Sequence, residues 1–498
     1  MNLWEKYKDT FKENSAETAF CIANRYFSYA EFTQYISGSQ QLLHTHTGGK
    51  SGLPVGVICH DSIETFASIF AIWFSGCHVV PLHPLHPTAV NNEKIKQSFL
   101  ELLFTSEVTP SVEELEAIKI NTKEVKSQAP LTVSREANRA YILFTSGSTG
   151  KPKGVPINTD NLDAFVHGFL ELYPDLTASD RFLQTYDLTS DAAFTGYLIP
   201  LLLGASVYTL PPAGFKYLSI VSILQQHAIT WTQFTPSILN FLRPYFKSMR
   251  FDLLKHSHFG GEALPYELVS EWSKCIPHAE ISNIYGPTET TITSTIHRTE
   301  INQLNQKVYN GIISIGKPLK EVKILILDEN NDPVAEGAKG ELCIGGAQVM
   351  ENYLNSEESK SFFMYEKEGL LERYYRSGDL VFQDRERFLY FCGRKDDQLK
   401  ISGYRVEPAE IEYAISQLTG GSQSRAFTFK NKSGTDSMVV FTAQCGIPPE
   451  KLKELLKNVL PSPLIPEKII SVSQFPINSA GKVDKPVLFE QYKSQIYE

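Results

Sequence analysis

The sequence predicts an α/β fold, in which a large amino-terminal domain of parallel α/β subdomains carries a small β-barrel and is followed by a small α+β domain. Three observations support this prediction. Up to about residue 319, apolar runs typical of buried strands alternate with stretches of helical periodicity. Beyond that point, strands follow one another closely between turns, as in antiparallel sheets. The last ~100 residues contain both patterns and are long enough for a separate domain.

The amino-terminal elements alternate in the order expected for parallel sheets. Strands are predicted at residues 55–59, 140–144, 206–210 and 229–234, and helices at residues 218–227 and 267–274. A helix between two strands returns the chain across one face of the sheet, so that consecutive strands run in the same direction.

One apolar segment, residues 65–82, is nearly long enough to cross a membrane. The Ser75-Gly76 pair and His78 interrupt it. We interpret it as a buried helix that ends near Gly76, followed by a buried strand at residues 79–80. We therefore predict no membrane insertion.

The later elements are shorter and more closely spaced. Strands are predicted at residues 323–328 and 340–346 on either side of a polar turn, and this spacing favours an antiparallel barrel. The final segment is predicted to contain a helix that begins at Pro408, strands near residues 426–429 and 438–443, and a helix at residues 449–459. This mixture is typical of a small α+β domain.

Composition excludes several classes of protein. The formal net charge of −9 argues against broad binding to nucleic acid, which requires a basic surface. The seven cysteines are scattered and form no Cys-x-x-Cys pair, which predicts reduced thiols and a cytoplasmic protein. The amino terminus is charged where a signal peptide would be apolar.

The most informative segment is a loop rich in glycine and hydroxyl groups that follows the predicted strand at residues 140–144. Its candidate phosphate-binding residues are Thr145, Ser146, Gly147, Ser148, Thr149, Gly150 and Lys151. Converging backbone amides, hydroxyls and lysines suit an oligophosphate. The loop is not a Walker A motif, because its glycines are too close together and Pro152 follows the lysine. It does not match the G-x-S-x-G pattern of hydrolases either.

This loop resembles the phosphate loop of the adenylate-forming superfamily, which includes acyl-CoA synthetases, luciferases, peptide-synthetase adenylation domains and D-alanine–carrier protein ligases. Five other segments resemble motifs of that superfamily and occur in the same order: residues 283–289, 375–379, 393–398, 401–405 and 478–484. Six matches in order identify the chain as a member by resemblance. The resemblance implies ATP as a substrate and Mg²⁺ as a cofactor.

The resemblance also implies roles for individual residues. Asn283 and Tyr285 would hold adenine, Thr288 would contact the α-phosphate, and Glu289 would bind Mg²⁺, for which one carboxylate beside phosphate oxygens is sufficient. Asp379 would accept the ribose hydroxyls. The remaining nucleotide-binding candidates are Gly261, Glu262, Ile284, Gly286 and Arg394.

Lys482 is the implied catalytic cation, placed between the substrate carboxylate and the α-phosphate, where an ammonium offsets charge in the transition state. Ala480 stands where many relatives carry Asn. Asp396 corresponds to the hinge of the superfamily, so residues 1–395 would bind ATP and substrate while residues 396–498 form a mobile lid. Arg405 is expected to contact phosphate or the large domain.

Two aspartates are candidates for holding the substrate ammonium, as the resemblance implies for amino-acid-activating members. Asp187 better matches the local aromatic-Asp-x-Ser pattern. Asp191 lies nine residues before Pro200, the usual offset, although Ser190 replaces the expected aromatic residue. A buried carboxylate needs a partner, and an ammonium would supply one. We favour Asp191 and keep Asp187 as the alternative.

The side-chain pocket is expected to be small. Ser257 and Phe259 share one strand face, and the resemblance places both toward the pocket. The other expected lining residues are Thr195, Gly260, Ile284 and Ile292. The bulk of Phe259 and Ile284 predicts a small amino acid.

The leading hypothesis is therefore a free-standing ligase that forms an aminoacyl-AMP and passes the amino acid to the phosphopantetheine thiol of a separate carrier protein. The chain ends soon after the Lys482 motif, so we expect the carrier to be a separate protein; an excised module is the other interpretation of this ending. An aryl- or acyl-acid ligase that transfers to coenzyme A is the alternative. A non-catalytic scaffold is disfavoured because Lys482, Glu289, Asp379 and the phosphate loop are all retained.

Overall fold

The structure, a computed structural model, describes residues 2–136, 138–146, 152–211, 216–354, 360–367, 369–395, 398–401, 403–432, 434–443, 445–476 and 483–497. Its helices and strands form the α/β fold that the sequence predicts, with two large sheets of mainly parallel strands. Antiparallel sheets follow in the second half of the chain.

The larger sheet has nine strands, which are parallel in its centre and antiparallel at its edges. Their spatial order is Lys317–Pro318, Thr295–Thr299, Glu280–Tyr285, His256–Phe259, Trp231–Phe234, Arg181–Gln184, Ser206–Thr209, Thr18–Ile22 and Arg25–Ser28. The central strands are buried on both faces, as expected where helices cover both sides of a parallel sheet.

The second sheet has six strands. Their order is Ile118–Asn121, Leu102–Thr105, Pro54–Ile58, His78–Leu82, Arg139–Thr145 and Lys153–Asn158. The last two pair antiparallel, with Thr145 opposite Lys153. They therefore bracket the predicted phosphate loop, of which Gly147 to Lys151 lie outside the described residues.

Helices cover these sheets. In the first 320 residues the α-helices are Leu3–Glu13, Tyr29–Thr47, Ile63–Phe74, Thr88–Gln97, Pro110–Glu113, Thr159–Leu172, Ala192–Leu203, Lys216–Gln226, Pro236–Leu242 and Tyr266–Trp272, and short 3-10 helices span Arg243–Ser248, Ser273–Cys275, Thr288–Thr290 and Ile301–Gln303.

The apolar segment forms the predicted buried helix, Ile63–Phe74, and the predicted buried strand, His78–Leu82. The Ser62 side chain accepts a hydrogen bond from the Thr65 amide and so caps the helix. Trp73 stacks on Trp4 of the first helix, with ring centroids 4.6 Å apart. Among the described residues, no helix is both long and apolar enough to span a membrane.

An antiparallel sheet occupies the segment in which the sequence predicts a small barrel. Its strands, in spatial order, are Val322–Leu327, Gly340–Gly346, Leu370–Gln383 and Phe362–Lys367, and Leu389–Arg394 also pairs with the long strand Leu370–Gln383. A two-stranded ribbon of Val308–Tyr309 and Ile312–Ile313 lies nearby in the chain. The long strand matters for the site because it carries Asp379.

The carboxyl-terminal segment contains a hairpin and a small sheet. The hairpin pairs Leu399–Ile401 with Tyr404–Val406, and the sheet contains Gln423–Lys430, Asp436–Ala443 and Lys468–Val472. Its helices are Pro408–Thr419, Pro449–Lys457, Lys485–Gln491 and Lys493–Tyr497, with a 3-10 turn at Ser462–Leu464.

Two hydrophobic clusters of this segment contain only residues from 399 onward. The segment thus buries its own core, which is one requirement for an independent domain. The boundary between residues 395 and 396 stays a prediction, and the predicted hinge, Asp396, lies outside the described residues.

Candidate active site

A cavity of about 210 Å³ lies where the carboxyl ends of strands from both large sheets meet the hairpin Leu399–Val406. Ligands of open α/β sheets bind at this edge, because the loops that follow parallel strands converge there. The predicted site residues on its wall are Thr145, Ser146, Asp191, Gly260, Gly261, Ile284, Tyr285, Gly286, Thr288, Ile292, Asp379 and Arg394. The structure thus collects residues that are far apart in sequence.

Asp379 is almost fully buried and anchors one side of the cavity. The Tyr285 hydroxyl donates to Oδ2 of Asp379 at 2.6 Å, and Nη1 of Arg394 donates to Oδ1 at 2.7 Å. Asp379 and Arg394 are direct partners in the antiparallel pair of their strands, so the backbone register brings the two charges together. Burial and the nearby Asp379 carboxylate raise the pKa of Tyr285, which keeps its hydroxyl a donor.

A neighbouring cavity of about 220 Å³ shares Gly261, Tyr285 and Arg394 and adds Glu262 and Asn283. The Asn283 side-chain amide donates to the carbonyls of Ile313 and Ser314. Aromatic, amide and guanidinium groups around one cavity are compatible with a purine and its ribose.

Glu262 holds the carboxyl-terminal hairpin in place. Its carboxylate accepts hydrogen bonds from Ser237 and, at 2.9 Å, from the Gly403 amide. Gly403 has a φ of +82°, and a Cβ added there would lie 2.6 Å from Cγ2 of Thr235. The Cβ of a side chain at Gly261 would lie 3.3 Å from Cα of Gly403. Only glycine permits this close approach of the two backbones.

Glu289 is fully buried, and its carboxylate is already hydrogen-bonded within the protein. Its carboxylate accepts hydrogen bonds at 2.7 and 2.9 Å from Arg405 and at 2.7 Å from the Tyr353 hydroxyl. Burial alone would raise the pKa of Glu289, but the Arg405 charge and the Tyr353 hydroxyl outweigh it, and the net pKa is lowered. Glu289 is therefore an ionised carboxylate of the kind that Mg²⁺ prefers. It fits the predicted metal role only when Arg405 has withdrawn from it.

Asp191 lies on the cavity wall at the start of the helix Ala192–Leu203. Its Oδ2 atom is buried and has no hydrogen-bond partner among the described residues. Burial raises the pKa of Asp191 to about 6, against the opposing effect of the Thr288 hydroxyl and backbone amides. An acid with an unpartnered buried oxygen beside a cavity is incomplete without a ligand.

Asp187, the alternative anchor, is already satisfied. It accepts hydrogen bonds from His83 at 2.9 Å, from the Tyr404 hydroxyl at 3.2 Å, and from the amide and hydroxyl of Thr189, both at 2.8 Å. Burial opposes ionisation, yet His83 and Thr189 lower the net pKa of Asp187 well below its usual value. The two candidates thus differ in how much hydrogen-bonding capacity remains for a substrate.

Three expected pocket residues lie behind the cavity wall instead of on it. Ser257 is fully buried and bonds with Thr232 and with the indole of Trp272. Phe259 packs in the hydrophobic core, and the Thr195 hydroxyl is buried without a hydrogen-bond partner among the described residues. The reason is that helices cover the strand His256–Phe259, so its alternating side chains enter the core. Residues that follow or neighbour that strand form the wall.

Ile284 closes the cavity over Gly260. A Cβ at Gly260 would lie 2.6 Å from Cγ1 of Ile284, so the isoleucine fills the space that a side chain would occupy. Ile292 lies on the same wall. Both isoleucines line the same cavity as Asp191.

Sequence reasoning missed several wall residues, among them Gln233 and Lys400. Gln233 is the last residue but one of the strand Trp231–Phe234, and neither atom of its amide has a hydrogen-bond partner among the described residues. The sequence feature that could have identified Gln233 was a single amide side chain near the end of an apolar strand. Nζ of Lys400 lies 5.4 Å from the centroid of the Tyr285 ring; burial lowers its pKa, and the charge of Asp379 opposes this. Lys400 resembles a surface lysine in sequence, so no local signal identified it.

Several predicted residues cannot be placed. Gly147, Ser148, Thr149, Gly150, Lys151, Asp396 and Lys482 lie outside the described residues. At the edge of the loop, the Ser146 hydroxyl donates to the Arg405 carbonyl at 2.8 Å. The phosphate and lysine roles therefore stay predictions.

Comparisons with known proteins show the family and the fold of this chain. A family model described as "AMP-binding enzyme" matches residues 8–354. Zwittermicin A synthase ZmaJ from Bacillus cereus is 28% identical over 95% of this chain and 91% of its own length. Tyrocidine synthase 3 from Brevibacillus parabrevis is 29% identical over 97% of this chain, which spans only 7% of that protein.

A solved structure has the same fold. The Vibrio cholerae adenylation domain AlmE, determined in complex with glycyl-adenosine-5'-phosphate, superposes with a TM-score of 0.85 at 24% identity and covers 99% of this chain and 98% of its own. The family resemblance predicted from six sequence segments is confirmed by the match over residues 8–354.

Proposed function

Because the chain belongs to the AMP-binding enzyme family, we propose that it activates a small amino acid as an aminoacyl-AMP and passes it to the phosphopantetheine thiol of a separate carrier protein. The observation that carries this proposal is Asp191, a carboxylate on the cavity wall with one buried, unpartnered oxygen among the described residues. An α-ammonium is the group that best completes it, since a cation and its hydrogen bonds offset the cost of burying the charge.

The nucleotide would lie beside Tyr285 and the Asp379–Arg394 pair, which share one cavity wall. Asp379 offers acceptor oxygens for ribose hydroxyls, and Arg394 keeps it oriented at 2.7 Å. The α-phosphate would then approach Thr288, which lies on the same wall as Asp191. This arrangement supports attack of a substrate carboxylate on the α-phosphorus, because both reactants would share one cavity.

In the first step, a carboxylate oxygen of the amino acid forms a bond to the α-phosphorus and pyrophosphate leaves. No general base is required, because the carboxylate is already ionised. Glu289 would hold Mg²⁺, which neutralises charge on the phosphate oxygens when bound. Lys482 would offset charge on the reacting groups, as its motif implies.

The proposed substrate is small because Ile284 covers Gly260 and Ile292 lies on the same wall. The proposed ammonium anchor and the bulky residues together leave room for a short side chain. Gln233 offers an unoccupied amide, among the described residues, to a polar group of that side chain or to the substrate carboxylate.

In the second step, a thiol attacks the aminoacyl carbonyl and AMP leaves. Gly403, Tyr404 and Arg405 of the hairpin lie on the cavity wall, which supports a role for the hairpin when the acceptor thiol reaches the adenylate. In this arrangement, Arg405 donates hydrogen bonds to the Glu289 carboxylate. We assign the arrangement to the transfer step, and a hinge at Asp396 would return the lid to the adenylation pose.

ATP–pyrophosphate exchange tests the first step. We expect exchange with one of alanine, glycine or serine, assayed as L and D forms where both exist, and none with benzoate or short fatty acids. Asp191→Asn should abolish it, whereas Asp9→Asn, an exposed change on the helix Leu3–Glu13, should not. Exchange supported by an acid without an amine would favour the coenzyme A ligase alternative and overturn the proposal.

Lys482→Ala tests the assigned catalytic cation. We expect adenylate formation to fall by at least about 100-fold, the scale of losing one group that stabilises charge in the transition state. ATP binding should remain close to that of the unaltered enzyme. Unchanged turnover would contradict the assignment.

A further inference from the structure

A polar cluster at the edge of the cavity links three parts of the molecule. We define it as His83, Asp187 and Tyr404, and call it the Asp187 cluster. His83 follows the strand His78–Leu82 of the six-stranded sheet, and Asp187 follows the strand Arg181–Gln184 of the nine-stranded sheet. Tyr404 belongs to the carboxyl-terminal hairpin. The two aromatic partners therefore reach one carboxylate from different elements.

Hydrogen bonds determine the geometry of the Asp187 cluster. Nδ1 of His83 accepts from the Leu85 amide at 3.0 Å, so the proton lies on Nε2, which donates to Oδ2 of Asp187 at 2.9 Å. The Tyr404 hydroxyl donates to the same oxygen at 3.2 Å, and Thr189 donates twice to Oδ1. Four donors around one carboxylate specify one position for each partner.

The surroundings of the cluster keep His83 in place. The His86 ring stacks on His83 with centroids 4.4 Å apart. Nδ1 of His86 lies 3.4 Å from the buried ammonium of Lys94. His83, His86 and Lys94 all belong to the part of the chain that forms the two large sheets. Tyr404 is the one member of the Asp187 cluster that belongs to the hairpin.

Three consecutive hairpin residues each contact a different acid of the large sheets. The Gly403 amide donates to Glu262, the Tyr404 hydroxyl to Asp187, and the Arg405 guanidinium to Glu289. Glu262 and Glu289 are predicted to serve the nucleotide and its metal. The oxygens of Asp187 already accept from His83, Tyr404 and Thr189, so its contact with Tyr404 can hold the hairpin without competing with ligand binding.

We propose that Asp187, oriented by His83, is a positioning residue for the transfer step, and that it acts through Tyr404 on the hairpin Leu399–Val406, which lies on the cavity wall. This inference rests on the proposed function. Asp187 need not touch substrate or nucleotide. Loss of its contact with Tyr404 should slow transfer of the amino acid to a thiol and leave formation of the adenylate unaffected.

The test compares the two half-reactions in Tyr404→Phe, Asp187→Asn and the double variant. Adenylation is followed by ATP–pyrophosphate exchange with the amino acid that supports it best, and transfer by single-turnover reaction of the preformed adenylate with pantetheine. We expect transfer to slow roughly tenfold, the scale of one hydrogen bond to a charged group. Exchange should stay within about twofold, and the double variant should be no slower than either single variant.

Tyr413→Phe is the matched control, because it removes a tyrosine hydroxyl from an exposed side chain of the same carboxyl-terminal segment. Normal transfer in Tyr404→Phe would overturn the proposal, as would equal losses in both half-reactions or a double variant whose losses multiply. If the unaltered enzyme supports exchange but never acylates pantetheine, the proposed transfer step fails, and this inference fails with it. Absence of exchange with every amino acid would instead reject the proposed function at its first step.

Discussion

At the scale of single residues, Asp191 shows how a binding site can oppose stability. One oxygen of its carboxylate is buried without a partner among the described residues, and burial raises its pKa to about 6. A group whose folded pKa lies above its unfolded value of about 3.8 costs stability when it is ionised, which is the case above pH 6. That cost disappears below the unfolded pKa, where the group is protonated in both states.

We therefore predict that Asp191→Asn stabilises the empty enzyme while abolishing amino-acid activation. At pH 7 the free energy of unfolding should rise by roughly 1–3 kcal/mol, because a pKa difference of one unit corresponds to about 1.4 kcal/mol. Denaturant unfolding at several pH values measures it. The gain should shrink as the pH falls from 6 toward 4, whereas Asp9→Asn should show no comparable gain. A destabilised Asp191→Asn enzyme at pH 7 would argue that the carboxylate is satisfied inside the protein.

The same residue sets a pH dependence for substrate binding. Protonation of Asp191 below about pH 6 removes the charge that the ammonium requires. The KM for the amino acid in the exchange reaction should therefore rise as the pH falls from 7 to 5, while the KM for ATP stays nearly constant. A KM for the amino acid that does not change over this range would contradict the assignment of Asp191 as the anchor.

At the scale of elements, the strand His256–Phe259 is covered on both faces and forces a histidine into the core. His258 stacks on Trp231 with centroids 3.7 Å apart, and neither ring nitrogen has a hydrogen-bond partner among the described residues. Burial, with smaller effects of His256 and Arg298, lowers the pKa of His258 well below its usual value, so the folded protein holds it neutral.

This burial predicts sensitivity to acid. Below about pH 6.5 the unfolded chain takes up a proton that the folded chain excludes, so the free energy of unfolding falls as the pH falls. His258→Phe should reduce the slope of that loss by about 1.4 kcal/mol per pH unit, the contribution of one proton. Urea unfolding between pH 7 and pH 5 measures the slope. The exposed His278→Phe is the control, and an equal slope in both variants would show that His258 titrates normally.

The hairpin Leu399–Val406 leads to a prediction about its turn. Gly403→Ala would place a Cβ 2.6 Å from Cγ2 of Thr235 in a backbone conformation that alanine rarely adopts. We expect transfer to a thiol to be lost to a greater degree than pyrophosphate exchange. Thr235→Ser removes the obstructing methyl group and should restore part of the transfer rate in the double variant. Full activity of Gly403→Ala alone would show that the hairpin does not remain in this position during transfer.

At the scale of the whole molecule, Arg405 and a metal ion compete for Glu289. The carboxylate has no room for Mg²⁺ while Arg405 donates to both of its oxygens. Binding of Mg²⁺ with a non-hydrolysable ATP analogue should therefore release the hairpin from the large sheets. We predict faster hydrogen exchange in the peptide that covers residues 399–406, and no change in the buried strand Asp436–Ala443 of the same segment. Unchanged exchange in both peptides would exclude this competition.

Most of the fold was predictable because it depends on local patterns. The strand at residues 340–346 was predicted with the bounds that the structure has, Gly340–Gly346, and the helix predicted to begin at Pro408 begins there. The apolar segment was resolved correctly into Ile63–Phe74 and His78–Leu82 because Gly76 separates two different periodicities. The site was predicted less completely. Ser257 and Phe259 were expected in the pocket, but their strand is buried on both faces, and alternation along a strand does not reveal this.

Motifs, glycines and apolar periods are properties of neighbouring residues, so they could be recognised before the structure was known. Which chemical groups meet depends on how the chain folds. Glu289 and Arg405 are separated by 116 residues, yet two hydrogen bonds join them. The residues that flank each of them in the sequence do not predict this contact. Likewise, Asp187 and Asp191 look alike in sequence, and only packing satisfies one carboxylate and leaves the other open. Burial and long-range pairing control charge and hydrogen bonding, and both are properties of the folded chain.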